Sequence, residues 1–345
     1  NKRCGFVLSQ SLVLRRVSIA AVQTGQGQRG SPLLMQPRFS DDIFEHSVDA
    51  GDTVDYISRQ DHAYDVTVRD NLAFVSDGSN GLTVYDLNVV PDYGNPDTGN
   101  SPTGDHIVSN LGAGDGNPLL GRATAAELWT DPDTGTDYAF VAAGHAGIAV
   151  VDITEVANTD IAPDERMVLI KRFEPIKVGD EEEVGKADGR SVDVKIVGDY
   201  AYFTYDSFGI VAYRIDDPDP LVHDLISPLP EGTDPTEVWK PGGAGYDYRP
   251  EAVARFKLQD ETLGGWPELA GWKGGALGMD TLRVSGKQLF YVAYGDAGVI
   301  KLDWTDPAAP VLKQHLNTVG DALDVTVENG RAYVADNLGG LALIK

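Results

Sequence analysis

The sequence predicts an all-β protein, a β-propeller of four-stranded blades, and three observations carry that prediction. First, a strand–turn–strand unit recurs five times: AFVSDGSNGLTVYDL from Ala73, AFVAAGHAGIAVVDI from Ala139, AYFTYDSFGIVAYRI from Ala201, FYVAYGDAGVIKLDW from Phe290 and AYVADNLGGLALIK from Ala332. Superposed, the units place an aromatic at Phe74, Phe140, Tyr202, Tyr291 and Tyr333, and a glycine at Gly81, Gly147, Gly209, Gly298 and Gly340. Second, the last two of these glycines are 42 residues apart, and short strands repeating every ~40 to 50 residues mark a propeller blade rather than a helical solenoid. Third, no segment sustains the 3.6-residue apolar period of an amphipathic helix.

Taken in order, residues 6–22 hold the apolar, β-branched pieces Phe6-Val7-Leu8, Leu12-Val13-Leu14 and Val17–Val22, which read as strands. The following Gly25–Gly30 run has the spacing of a dinucleotide fingerprint. Pro32 and Pro37 leave no room for the helix that such a site needs at its phosphate end, so it reads as a loop. Each later unit supplies three inner strands of a blade. One begins like Asp324-Val325-Thr326-Val327, one like Ala332-Tyr333-Val334-Ala335, and one like Gly340-Leu341-Ala342-Leu343. A fourth, outer strand is expected from pieces such as Arg255–Leu258 and Pro310–Lys313. Irregular insertions are expected at about 88–122, 155–189 and 217–277. The last unit ends the sequence without an outer strand, leaving an edge that a closed ring must cover. We therefore expect one propeller domain over residues 1–345, with six blades, five and seven being the alternatives, and the ring closed by N-terminal strands pairing with the C-terminal blade.

Composition limits the partners. With 28 basic and 53 acidic residues the net charge is -25, so a nucleic-acid backbone or an anionic membrane surface would be repelled, and cationic proteins or metal ions suit the chain better. A single cysteine, Cys4, excludes an internal disulfide and a covalently attached c-type haem. No apolar run reaches the length of a membrane span. Arg15 and Arg16 interrupt the first apolar stretch, so no signal peptide is assigned, and Asn1 in place of Met reads as a chain processed upstream.

The unit "Ala-Tyr-Val-Ala, short turn, Gly-Leu, apolar run, Asp" resembles the LVIVD repeat, a β-propeller family. The resemblance is carried by Ala332–Ala335 with Gly340-Leu341, by Ala139–Ala142 with Gly147–Asp152, and by Asp-Pro at Asp306-Pro307 and Asp217-Pro218. It implies a propeller fold and an exported or surface-associated protein, with no shared catalytic residues.

Several residues invite a chemical reading. Asp65, Asp193 and Asp324 share one position at the start of the first strand, with Glu127 as an acidic counterpart and Asp280 about one place out of phase. Such carboxylates could ring a channel mouth and hold a cation, or accept backbone N–H bonds and lock one blade to the next. Asp131, Asp133 and Asp137 alternate around Gly135, as in loops that fold oxygens around Ca²⁺, without the later glutamate of an EF-hand. Asp86, Asp152 and Asp303 recur after the third strand as turn caps. The six histidines are scattered without metal-ligand spacing, and no nucleophile motif is present. Trp239, Tyr246, Tyr248, Trp266 and Trp272 lie in the longest insertion and offer either a binding surface or a cover for the blades.

The functional expectation is a non-catalytic, protein-binding scaffold at the cell surface or outside the cell. Two alternatives differ in class: a metal-dependent enzyme using the channel carboxylates, and an accessory subunit of an extracellular multihaem electron-transfer complex that borrows haem from a partner.

Overall fold

The structure, a computed structural model, describes residues 63–88, 107–112, 120–177, 185–186, 189–217, 219, 223–238, 240–258 and 274–344. These form successive antiparallel sheets, each taken from a contiguous part of the chain. Blade 1 is β1 (Asp65–Arg69), β2 (Leu72–Ser76), β3 (Leu82–Asp86) and β4 (Ile107–Leu111). Blade 2 is β5 (Ala125–Thr130), β6 (Asp137–Ala142), β7 (Ile148–Asp152) and β8 (Val168–Phe173). A short ladder of β9 (Ile176–Lys177) and β10 (Gly185–Lys186) follows. Blade 3 is β11 (Ser191–Val197), β12 (Tyr200–Tyr205), β13 (Gly209–Arg214) and β14 (Ala252–Phe256), and blade 4 is β15 (Met279–Val284), β16 (Lys287–Ala293), β17 (Val299–Asp303) and β18 (Val311–Leu316). Among the described residues blade 5 has three strands, β19 (Asp324–Glu328), β20 (Arg331–Ala335) and β21 (Leu341–Ile344).

Among the described residues five blades are therefore present where six were expected. Between Gly209 and Gly298 the described residues form no additional blade. They supply β14, at the place expected for an outer strand, and connections on either side of it. The expected strands within residues 6–22 lie outside the described residues.

The repeating aromatic explains how the blades stack. Alternation in a strand sends it to one face, and in each of blades 1 to 4 it enters the cluster shared with the following blade. Phe74 packs with Ala139 and Val141 of blade 2, and Phe140 packs with Phe203 and Val211 of blade 3. Tyr202 lies 4.5 Å, centroid to centroid, from Phe290 of blade 4, and Tyr291 joins Val325 and Val334 of blade 5. First strands of successive blades also contact one another, β1 with β5, β5 with β11, β11 with β15 and β15 with β19, which places them innermost.

The repeating glycine has an equally direct cause. Gly81, Gly147, Gly209, Gly298 and Gly340 all have positive φ, between 76° and 99°, a region that side chains disfavour. In the four complete blades a Cβ there would also strike the carbonyl oxygen of the last fourth-strand residue, Leu111, Phe173, Phe256 or Leu316.

Candidate functional site

The strand directions sort the loops onto two faces. Hairpins between first and second strands and connections between third and fourth strands lie on one face. Turns between second and third strands and the crossings to the next blade lie on the other.

On the second face the blades are joined by backbone. The turn after β2 bridges to the lead into β5, with Gly78 N–H donating to Ala123 C=O at 3.1 Å and Ala123 N–H to Gly78 C=O at 2.9 Å. The same exchange joins Gly295 of blade 4 to Ala322 of blade 5, and Ser191 N–H donates to Gly144 C=O across blades 2 and 3.

The inner-strand carboxylates extend these joints. Asp193 is buried, and its two oxygens accept the N–H of Val194 at 2.6 Å and, from blade 4, the N–H of Met279 at 2.8 Å. Asp280 repeats the arrangement one blade later, accepting Thr281 N–H at 2.8 Å and Val327 N–H of blade 5 at 2.7 Å. Asp65 accepts Ala126 N–H of blade 2 at 3.4 Å, while Thr67 donates its hydroxyl to Ala126 C=O at 2.7 Å. Asp324 accepts Val325 N–H at 2.8 Å.

Register divides these residues into two rows, which corrects both the reading of Glu127 as the counterpart of Asp65, Asp193 and Asp324 and that of Asp280 as about one place out of phase. Asp65, Asp193 and Asp324 oppose Ser76, Thr204 and Ala335, and form one row. Glu127 and Asp280 oppose Phe140 and Tyr291, and so belong two residues further along with Thr67, Lys195 and Thr326. In this second row Lys195 of blade 3 spans its neighbours, with Nζ 3.0 Å from Glu127 and 3.9 Å from Asp280. That lysine was not singled out from the sequence, although its alignment with Glu127 was available. In blade 4 the first-row position is Gly278, where a Cβ would fall 2.0 Å from an Asp324 carboxylate oxygen.

The opposite face carries the acidic loop between β5 and β6. Asp131 is buried, accepts Thr134 Oγ1–H at 2.5 Å and Asp133 N–H at 2.8 Å, and is held below the usual carboxylate range chiefly by the threonine. Asp216, just after β13, comes to this loop from blade 3. Ligand oxygens of Asp131, Asp133 and Asp216 all lie within 4.8 Å of one another. Burial pushes Asp216 above its ordinary value, and the neighbouring carboxylates of Asp224, Asp131 and Asp133 add to this. Asp137 faces elsewhere, toward Arg69 of blade 1, whose Nη1 lies 2.7 Å away, and it also accepts the Thr130 hydroxyl. The sequence pattern thus found two of the three grouped carboxylates, and only the fold could bring Asp216, remote along the chain, to the third place.

The connection from β13 to β14 packs on the blades. Leu225 and Val238 are fully buried with Phe173 and Tyr213. Arg172 N–H, on the free side of β8, donates to Pro235 C=O at 2.5 Å, and buried Lys171 donates to Asp224 C=O at 3.1 Å. This covers an edge that would otherwise invite foreign strands. Burial drives Lys171 down to about 8, against the opposing pull of Asp224. Tyr246 and Tyr248 are half-buried, beneath the Arg249 guanidinium and beside the His223 ring respectively. Trp239, Trp266 and Trp272 lie outside the described residues. No helix among the described residues is long and apolar enough to cross a membrane.

Stacked antiparallel blades joined at their inner strands define the protein as a β-propeller. Five of its segments, residues 61–88, 136–159, 188–211, 280–318 and 319–344, match the LVIVD repeat. The chain carries the LVIVD repeat through its blades, in keeping with a repeat β-propeller family. No curated protein matches it. Among solved structures, the computationally designed Ika8 protein is similar at 8% identity and a TM-score of 0.41, covering 81% of this chain and 56% of that one. The chain thus spans little more than half of Ika8. The WD40 beta propeller domain of Doa1 is similar at 9% identity and a TM-score of 0.43, covering 81% of this chain and 62% of that one. Raptor of Chaetomium thermophilum is similar at 12% identity and a TM-score of 0.44, covering 80% of this chain and 19% of that one. At these values no functional argument rests on the likenesses.

Proposed function

We propose that this β-propeller is a non-catalytic scaffold that binds a cationic protein outside the cell or at its surface. The observation that carries the reading is the employment of the inner-strand carboxylates. Both oxygens of Asp193 and of Asp280 accept backbone N–H groups, and Glu127 faces Lys195. Groups so engaged serve the blade joints rather than a reaction. Elaboration is concentrated instead on the face holding the Asp131–Asp133–Asp216 rim and the connection through Tyr246 and Tyr248. An excess of acidic residues would steer a basic partner toward such a surface.

Isolation of the native protein with its companions, followed by cross-linking, tests this. A companion protein cross-linked to Lys240 on this face, and retained in moderate salt, is the expected result. Cross-links confined to the opposite face, or no companion at any ionic strength, would overturn it. Convergence of Asp216 on the Asp131 loop favours a second reading of the same rim, as a site for a hard cation such as Ca²⁺.

A further inference from the structure

We infer that the cleft between blades 4 and 5 binds a carboxylate, held by the ammonium group of Lys301 and the side-chain amide of Gln314. The cleft departs from the repeat at one register row, which crosses the second, third and fourth strands of each blade. Blade 1 aligns Phe74, Val84 and Ser109 on it, blade 2 aligns Phe140, Val150 and Lys171, and blade 3 aligns Tyr202, Ala212 and Ala254. The third-strand members Val84, Val150 and Ala212 are all 0% exposed. Blade 4 aligns Tyr291, Lys301 and Gln314, and so puts a half-buried lysine where three blades bury an apolar side chain.

The same row shows what such donors meet elsewhere. Ser109 gives its hydroxyl to Pro163 C=O, in the third-to-fourth-strand connection of blade 2, at 2.5 Å, and Lys171 donates to Asp224 C=O in the corresponding connection of blade 3. Each therefore meets an oxygen supplied from the next blade. Between blades 4 and 5 there is instead a cavity of about 110 Å³, lined by Tyr291, Lys301, Gln314, Leu316, Ala332 and Ile344 among others. Lys301 Nζ rests 5.2 Å from the centroid of the Tyr291 ring, and among the described residues no carboxylate stands within ion-pair distance of it. A half-buried ammonium on an aromatic face is incompletely compensated, and an entering anion would complete it. The chemistry of the lining selects the anion. One ammonium and one amide N–H match the two oxygens of a planar carboxylate, and Leu316, Ala332 and Ile344 suit a short aliphatic chain behind it. A phosphate, with a second charge and a third acceptor oxygen, would find only one cation.

Methyl NMR of the full chain, labelled at isoleucine, tests this with Ile344 as the reporter. Three probes are titrated at constant ionic strength: propionate, a capped peptide with a central glutamate, and inorganic phosphate. A saturable shift of the Ile344 signal with propionate or the peptide is expected, weakened about tenfold or more in Lys301→Val through loss of the charged donor. Valine is the residue that blades 1 and 2 hold at this place, so the variant should keep its fold, which the other isoleucine signals check; Lys301→Met, which preserves chain length, gives the same reading should valine disturb it. Lys313→Met should bind as the parent does, because that ammonium lies 3.8 Å from Asp303 instead. Tighter binding of the peptide would assign the carboxylate to a side chain of a protein partner, and tighter binding of propionate to a free acid. An Ile344 signal indifferent to both, equal affinity in the parent and both Lys301 variants, or phosphate bound more tightly than either carboxylate would overturn the inference.

Discussion

The carboxylate of Asp193 receives the backbone N–H of Met279 at 2.8 Å, across 86 residues of sequence and the junction between blades 3 and 4. Its other oxygen holds Val194 of its own strand. Replacing Asp193 by Ala leaves two amide groups without an acceptor in a buried place, and should cost about 3 kcal/mol of stability. Asp193→Asn, which keeps one acceptor oxygen, should cost roughly half as much. Urea denaturation of the two variants measures the difference.

Gly278 and Asp324 make a complementary prediction. A methyl group at 278 would collide with the carboxylate, so Gly278→Ala should lose about 2 kcal/mol through forced displacement. Combining it with Asp324→Ala removes the collision with the carboxylate but leaves the Asp324 Cα 2.8 Å from the added methyl, so the double variant should still be destabilised, yet lose less than the two single losses added together. Thermal unfolding of the four proteins completes the cycle.

Lys171 predicts a pH dependence. Its folded value, about 8, lies below the ordinary 10.5 of lysine. Between these values the unfolded chain binds more protons than the folded one, so its contribution makes stability rise with pH across that window. Below pH 8 the full penalty for burying the ammonium applies. Lys171→Met should flatten this rise and gain about 2 kcal/mol at neutral pH, less whatever is lost with the hydrogen bond to Asp224. Denaturation curves at about pH 7, below the window, and at about pH 8.5 and 9.5, within it, check the sign.

How much of this was legible beforehand differs by element. The aromatic and the glycine of the units were readable because the blades impose the same two demands, a side chain packed toward the next blade in blades 1 to 4 and a backbone turn with positive φ in all five. Asp65, Asp193 and Asp324 were readable as one row for the same reason. Blade number was not. Connection length carries no period, and the long stretch around β14 proved to be a packed connection over the edge of β8. Asp216 was equally hidden, since its neighbours at 131 and 133 belong to another blade.

The rim formed by these three aspartates predicts a calcium response. Isothermal titration of the purified protein with Ca²⁺ should show binding that Asp216→Asn weakens by about tenfold or more, through loss of one charged ligand. Asp137→Asn should leave the titration unchanged, because Asp137 pairs with Arg69 instead. Equal binding by the Asp216 variant and the parent would remove the cation reading.

The donors that meet the inner aspartates from the next blade are main-chain amides, of Ala126, Met279 and Val327. An amide is present whatever side chain stands beside it, so each joint is specified by one partner and indifferent to the identity of the other. Neighbouring units can therefore drift apart in sequence without unfastening, and a blade transplanted from one slot of the array to another would bring its own clasp and find a receptive strand waiting.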